Sequence, residues 1–112
     1  MEGIFESSVR SAGDLAGVFE FDGDASYFYL YDVRGSAGKK VLEAIKISVG
    51  EPDFLPSDVI VIWSLDQRHV FLKIGEQICA AFDSDSRQKF GGDRKVGVQS
   101  YLPHNIQQWF PD

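Results

Sequence analysis

Between residues 18 and 32 the chain repeats one alternation twice. Val18-Phe19-Glu20-Phe21-Asp22 leads into Gly23-Asp24-Ala25-Ser26 and then Tyr27-Phe28-Tyr29-Leu30-Tyr31-Asp32. Two aromatic-rich runs around a short Gly/Asp/Ser turn are the signature of a β-hairpin. Successive strand side chains point to opposite faces. Phe19, Phe21, Phe28 and Leu30 therefore share one face, which is expected to be core. The other face carries Glu20 and Asp22 on one strand and Tyr27, Tyr29 and Tyr31 on its neighbour. A chain that must bury four apolar rings and chains on one side of a hairpin needs a second layer to cover them.

The rest of the sequence supplies that layer. Val59-Ile60-Val61-Ile62-Trp63 is apolar and β-branched, and reads as a central strand covered from both sides. After a turn at Leu65-Asp66-Gln67, residues 68–74 alternate, with Val70, Leu72 and Ile74 inward and His69, Phe71 and Lys73 outward. A turn at Gly75-Glu76 leads to a strand over Gln77–Phe82, completing a three-stranded meander. Residues 34–40 read as a loop, and Pro52 and Pro56 break regular structure. Val41–Val49 fits a short helical turn running into a strand. Residues 83–95 are polar and read as a mobile loop. Val96–Leu102 reads as a weak edge strand and Asn105–Phe110 as a terminal helical turn.

The sum is a mainly β chain, a bent antiparallel meander closing to a small barrel or sandwich with one or two short helices. An α+β sheet crossed by one helix is the alternative. At 112 residues the expectation is a single domain, 1–112, able to fold without metal or disulfide. Net charge is −6, and the excess is one-sided: residues 1–58 hold 11 acidic and 5 basic side chains, residues 59–112 six of each. Such a surface repels nucleic-acid backbones and draws basic partners, although solubility alone also accounts for it. Met1–Glu6 has no basic start or long apolar run, so no signal peptide is expected. No stretch is long enough for a membrane span. One cysteine, Cys79, sits among apolar neighbours and is expected to pack as a small hydrophobe rather than act as a nucleophile. These features suit a soluble cytoplasmic protein.

No motif spells out a reaction. Asp22-Gly23-Asp24-Ala25-Ser26 opens like a calcium loop but lacks the later ligands, including a closing Glu, and reads better as a turn. Asp83-Ser84-Asp85-Ser86 reads as a solvated turn. Phosphate loops, paired-cysteine zinc spacings and nucleophile elbows are missing. His69 and His104 have no spacing that marks a site. No catalytic residue, metal or cofactor is therefore assigned. The tyrosine face remains, because tyrosine brings contact area with little rotamer entropy to lose. It could equally be a sheet-stabilising ladder, or be covered by the segment containing Trp109 and Phe110.

The runs Val18–Asp24, Tyr27–Tyr29, Leu42–Ile47, Ile62–Ser64 and Ala81–Asp83 together resemble an uncharacterised bacterial family, domain of unknown function 2251, over roughly residues 17–83. The resemblance implies a small soluble bacterial protein and carries over no catalytic residue. The functional expectation is a non-enzymatic protein-binding module, such as an immunity-type inhibitor of a toxin or effector. Its basic protein partner would be held by Glu20, Asp22, Asp24, Tyr27, Tyr29 and Tyr31. A small-ligand domain or minor enzyme with a pocket in the bent sheet is the alternative.

Overall fold

The computed structural model describes residues 3–36, 38, 40–94 and 102–111. Four strands, β1 (Ile4–Val9), β2 (Leu15–Phe21), β3 (Ala25–Asp32) and β4 (Val41–Val49), form one antiparallel sheet in sequence order. Four more, β5 (Val59–Trp63), β6 (His69–Ile74), β7 (Gln77–Asp83) and β8 (Lys89–Gly91), form a second. A 3-10 turn, Pro56–Asp58, leads into β5, and a short helix, α1 (His104–Gln107), lies near the C-terminus. The fold is mainly β, with the two sheets facing each other as a sandwich.

The hairpin is what its alternation requires. β2 and β3 pair with Phe19 opposite Phe28 and Glu20 opposite Tyr27. Phe19, Phe28 and Leu30 are fully buried and Phe21 nearly so. Asp22-Gly23-Asp24 connects them, with Gly23 at φ +101°, a backbone angle that favours glycine. From the second sheet Val70, Leu72, Ile74 and Phe82 fill the space opposite, and Phe28 meets Phe82 with ring centroids 5.1 Å apart. Burying each such ring or branched chain contributes about 1.5–3 kcal/mol.

The two sheets are laced at both sides. Beyond β8 the chain leaves its own sheet and hydrogen-bonds to β4, through Asp93 N to Lys46 O (3.0 Å) and Arg94 N to Ile47 O (2.7 Å). Gly91 makes the crossing possible: at φ +81°, a Cβ there would sit 2.2 Å from the Cys79 carbonyl oxygen. On the other side the Trp63 indole N–H donates to Ser8 O at 2.8 Å. Arg10 grips Asp14 through two 2.7 Å bonds and also donates to Gln67 O and Ser84 Oγ, joining the β1–β2 turn to two turns of the second sheet.

Several expectations are corrected. Val41–Val49 is strand throughout, with no helical turn: it pairs with β3 along its length, and irregularities beside Tyr27 and Tyr31 scramble the apolar period so that it imitates a helix. Val59–Trp63 is an edge strand rather than a central one, and Ile60 is exposed. His69 and Phe71 are buried, because residues 102–110 lie over the outer face of their sheet. Residues 83–95 are not simply a loop, since they contain β8 and the crossing to β4. Strand β1 has no counterpart among the strands expected from alternation. Of the weak strand expected over Val96–Leu102, residues 96–101 lie outside the described residues. Leu102 is buried against Phe71, Ala81 and Ile106.

Gly17, on the inner face of β2, sets how closely the sheets approach. A Cβ there would lie 2.6 Å from Val70 Cγ2 and 2.9 Å from Val61 Cγ1. Gly17→Ala is expected to cost about 1–3 kcal/mol in urea unfolding through overpacking. A loss below roughly 0.5 kcal/mol, the usual range for an uninvolved surface position, would contradict so tight a contact.

Candidate functional site

Strand pairing sets the outer face of the first sheet in three rows. Phe5, Glu20, Tyr27 and Lys46 form the row nearest the hairpin turn. Ser7, Val18, Tyr29 and Ala44 form the next, and Val9, Ala16, Tyr31 and Val41 the last. The three phenol side chains run down the middle, partly buried against one another and against β2. Tyr27 and Tyr29 stack with ring centroids 6.0 Å apart and planes 17° from parallel. Val18 and Ala16, directly opposite Tyr29 and Tyr31, are buried although they point away from the core.

The margins of this face stay open. Phe5 is 65% exposed, Val9 52% and Val41 51%. Ser7, Ala44 and Lys46 are exposed as well. Among the twelve positions only Glu20 and Lys46 are charged, and both lie in the row at the hairpin end. At the other end the Lys40 ammonium sits 5.9 Å from the Tyr31 ring centroid, beside a shallow cleft of about 460 Å³ lined by Tyr31, Gly38, Lys40 and Val41. Contiguous apolar and aromatic surface of this kind, rimmed by charge, is uncommon on an isolated domain.

The acids differ in what they do. Glu20 lies on the face beside Tyr27. Asp22 turns its carboxylate back to accept the backbone N–H groups of Ala25 and Asp24, both at 2.9 Å, and these hold its pKa below the usual carboxylate range. It is thereby a fixed negative charge at the hairpin tip, with exposed Asp24 next to it. Burial, helped by the charge of Glu20 and Asp22 and by Tyr27, pushes the Tyr29 phenol upward, so it remains a neutral hydroxyl.

The second sheet is different because its outer face has a cover. Leu102 and Ile106 pack on Phe71 and Ala81, flanked by Ile62, Ile78, Phe90 and Phe110. Trp109 stacks on His69 (6.0 Å, 12°), and Phe110 meets Phe71 edge-on at 5.3 Å. The C-terminal segment thus covers this sheet, not the tyrosines. Beneath it His69 Nε2 lies 3.6 Å from Asp83 Oδ2, and Nδ1 is buried without a hydrogen-bond partner. Asp83 is engaged by Arg68 (2.8 Å from Nη2) and by the backbone N–H groups of Asp85 and Ser86. The stretch read as a solvated turn therefore begins with a buried ion-paired acid, which sequence spacing could not reveal.

Cys79 is fully buried, and burial pushes its thiol up to about 11 against the pull of Arg94. Among the described residues no three His, Cys, Asp or Glu side chains converge as a metal site would require. No described helix is long and apolar enough to cross a membrane.

Residues 2–101 match the model of a family described as an uncharacterised protein conserved in bacteria (DUF2251). No curated protein and no solved structure matches the chain.

The Asp83 contacts give the fold an acid limit. Hydrogen bonding from Arg68 is the main cause that lowers its carboxyl to about 2 in the folded chain. A pKa depressed by folding stabilises above the unfolded value, about 4, and that stability is lost as pH falls through the folded value. In Asp83→Asn the drop in urea midpoint between pH 4 and pH 2 should be shallower than in the parent. An unchanged slope would place the acid sensitivity elsewhere.

Proposed function

The chain belongs to this bacterial DUF2251 family, whose description carries no activity, and we propose from its geometry that it is a non-enzymatic protein-binding module of the cytoplasm. The outer face of the β1–β4 sheet is its docking surface, and the occupant is a basic protein such as a toxin or effector. On this reading the protein works as an immunity-type inhibitor, masking its partner's surface.

One observation carries the proposal. Of the two outward sheet faces, one is covered by the chain's own C-terminal segment, while the other presents three tyrosines with Phe5, Val9 and Val41 exposed around them. Exposed apolar area of this kind is a cost in water that a partner would relieve. Tyrosine rings with fixed orientation are suitable anchors, since they lose few rotamers on docking. Glu20, Asp22 and Asp24 supply negative charge at the hairpin end, and acidic inhibitors gain association rate by steering towards basic targets. Tyr29 stands at the centre of the rows and is assigned the anchor role; Glu20, Asp22 and Asp24 serve as rim. The small-ligand alternative has less support, because Phe19, Phe28, Leu72 and Phe82 occupy the space between the sheets.

The proposal is tested by photocrosslinking in the native host, with a benzophenone amino acid placed at Phe5 or, as a control on the other sheet, at Ile60. A basic protein should crosslink from position 5 and not from position 60. With that protein purified, Tyr29→Ala should weaken binding by about 2 kcal/mol or more, ~30-fold in Kd, and Phe5→Ala, at the exposed margin, should weaken it as well while its thermal midpoint stays near that of the parent. Crosslinks only to a second copy of this chain, or equal capture from both positions, would overturn it.

A further inference from the structure

A second candidate site lies on the opposite side of the sandwich from the tyrosines. The turn after β5 and the chain after α1 enclose a cleft of about 340 Å³ lined by Leu65, Asp66, Gln108, Trp109, Phe110 and Pro111. One side of the Trp109 ring is stacked on buried His69, which fixes its plane. Trp109 is nonetheless 45% exposed, so the rest of the indole opens on the cleft. Leu65, on the facing turn, is 90% exposed. Both are apolar surface presented to solvent at a concave place.

Two of the residues that line the cleft, Asp66 and Gln108, carry side-chain acceptors. The Asp66 carboxylate takes hydrogen bonds from Ser64 Oγ (2.5 Å) and Arg68 N (3.1 Å), both on Oδ1. Those bonds hold the group in place and lower its pKa, so it is charged at neutral pH. Oδ2 has no hydrogen-bond partner among the described residues. Gln108 donates Nε2 to Asn105 O at 2.8 Å, which leaves its carbonyl oxygen as an acceptor. The nearby Phe110 ring already holds a cation, with Lys73 Nζ 5.6 Å from its centroid.

An electron-rich ring face, a fixed carboxylate and a second acceptor, beside an exposed aliphatic side chain, match one kind of ligand group. It is flat, positively charged, rich in N–H donors and mounted on a methylene stem. We propose that this cleft binds the guanidinium side chain of an arginine presented by a protein partner. The guanidinium plane lies on the Trp109 indole, its N–H groups donate to Asp66 Oδ2 and the Gln108 carbonyl, and its methylenes run along Leu65. An ammonium meets the charge but not the plane, and a neutral urea group meets the plane but not the charge. This site does not depend on the tyrosine face, and it supplies a second hold on a basic protein or a separate one.

The test uses the intact protein, with 15N-labelled tryptophan followed by NMR. Trp63 and Trp109 give two indole N–H signals, of which the Trp63 group is bonded to Ser8 O and reports the fold. N-acetyl-arginine amide should shift the Trp109 signal saturably, with a Kd on the order of millimolar, and leave Trp63 unmoved. N-acetyl-citrulline amide, of the same shape without the charge, should produce no saturable shift. Asp66→Asn, which keeps both anchoring bonds through its amide oxygen, should weaken arginine binding roughly tenfold or more. Tyr29→Ala should leave it unchanged, which separates this site from the docking surface. The proposal fails if arginine gives no saturable shift, if citrulline matches it, or if Asp66→Asn binds as tightly as the parent.

Discussion

The structure depends on the opposite wetting of the two sides of one hairpin. Phenylalanine has no group that water can hydrogen-bond, and Phe19, Phe21 and Phe28 are driven between the sheets with Leu30. Tyrosine differs by one hydroxyl, and Tyr27, Tyr29 and Tyr31 lie on the other side, partly wet. Because strand period is two, one slip in register would exchange these sets and place three phenols in the core. The pairing of Phe19 with Phe28 and of Glu20 with Tyr27 is therefore enforced by burial as well as by the tight turn at Gly23.

From that constraint an asymmetry between the two sheets follows. Each sheet has one inner and one outer face, and both inner faces are spent on the shared core. Among the described residues a further apolar segment, with Leu102, Ile106 and Phe110, lies on Phe71 and Ala81 of the second sheet. The first sheet is left with an aromatic surface of its own making. Its tyrosines shelter Val18 and Ala16, which otherwise would be apolar side chains facing water. The same rings thus steady the sheet and form the surface a partner would use, and the two roles need not conflict. Removing a ring at the margin, such as Phe5, separates them better than removing one at the centre.

What could be read from the sequence was whatever repeats with a period of two inside a single strand. The hairpin and the inward set Val70, Leu72 and Ile74 obey that period, whereas β7 is read from its continuous apolar run between turns. Elements governed by contacts distant in sequence could not be read this way. Phe71 and His69 alternate as outward residues, and only residues more than thirty positions later make their side dry. Strand β1 hides because Phe5 and Val9 face out while Glu6 and Ser8 stand on the core side with Ile4. In β4, irregular pairing moves Leu42 onto the core side along with Ile45 and Ile47, and the mixed period imitates a helix. Strand β8 is three residues long and ends at a glycine chosen by the Cys79 carbonyl, a contact with no local pattern. The candidate face was half legible: its tyrosines and acids come from one hairpin, whereas Phe5, Val9 and Val41 join it only through pairing.

The phenol side of the first sheet is open and the benzyl side is closed. Hydroxyl-radical footprinting of the native protein, read residue by residue by mass spectrometry, measures this directly. Labelling should be fast at Phe5, measurable at Tyr27, Tyr29 and Tyr31, and undetectable at Phe19, Phe21 or Phe28 until the chain is unfolded. Protected tyrosines together with labelled phenylalanines in the native state would contradict it.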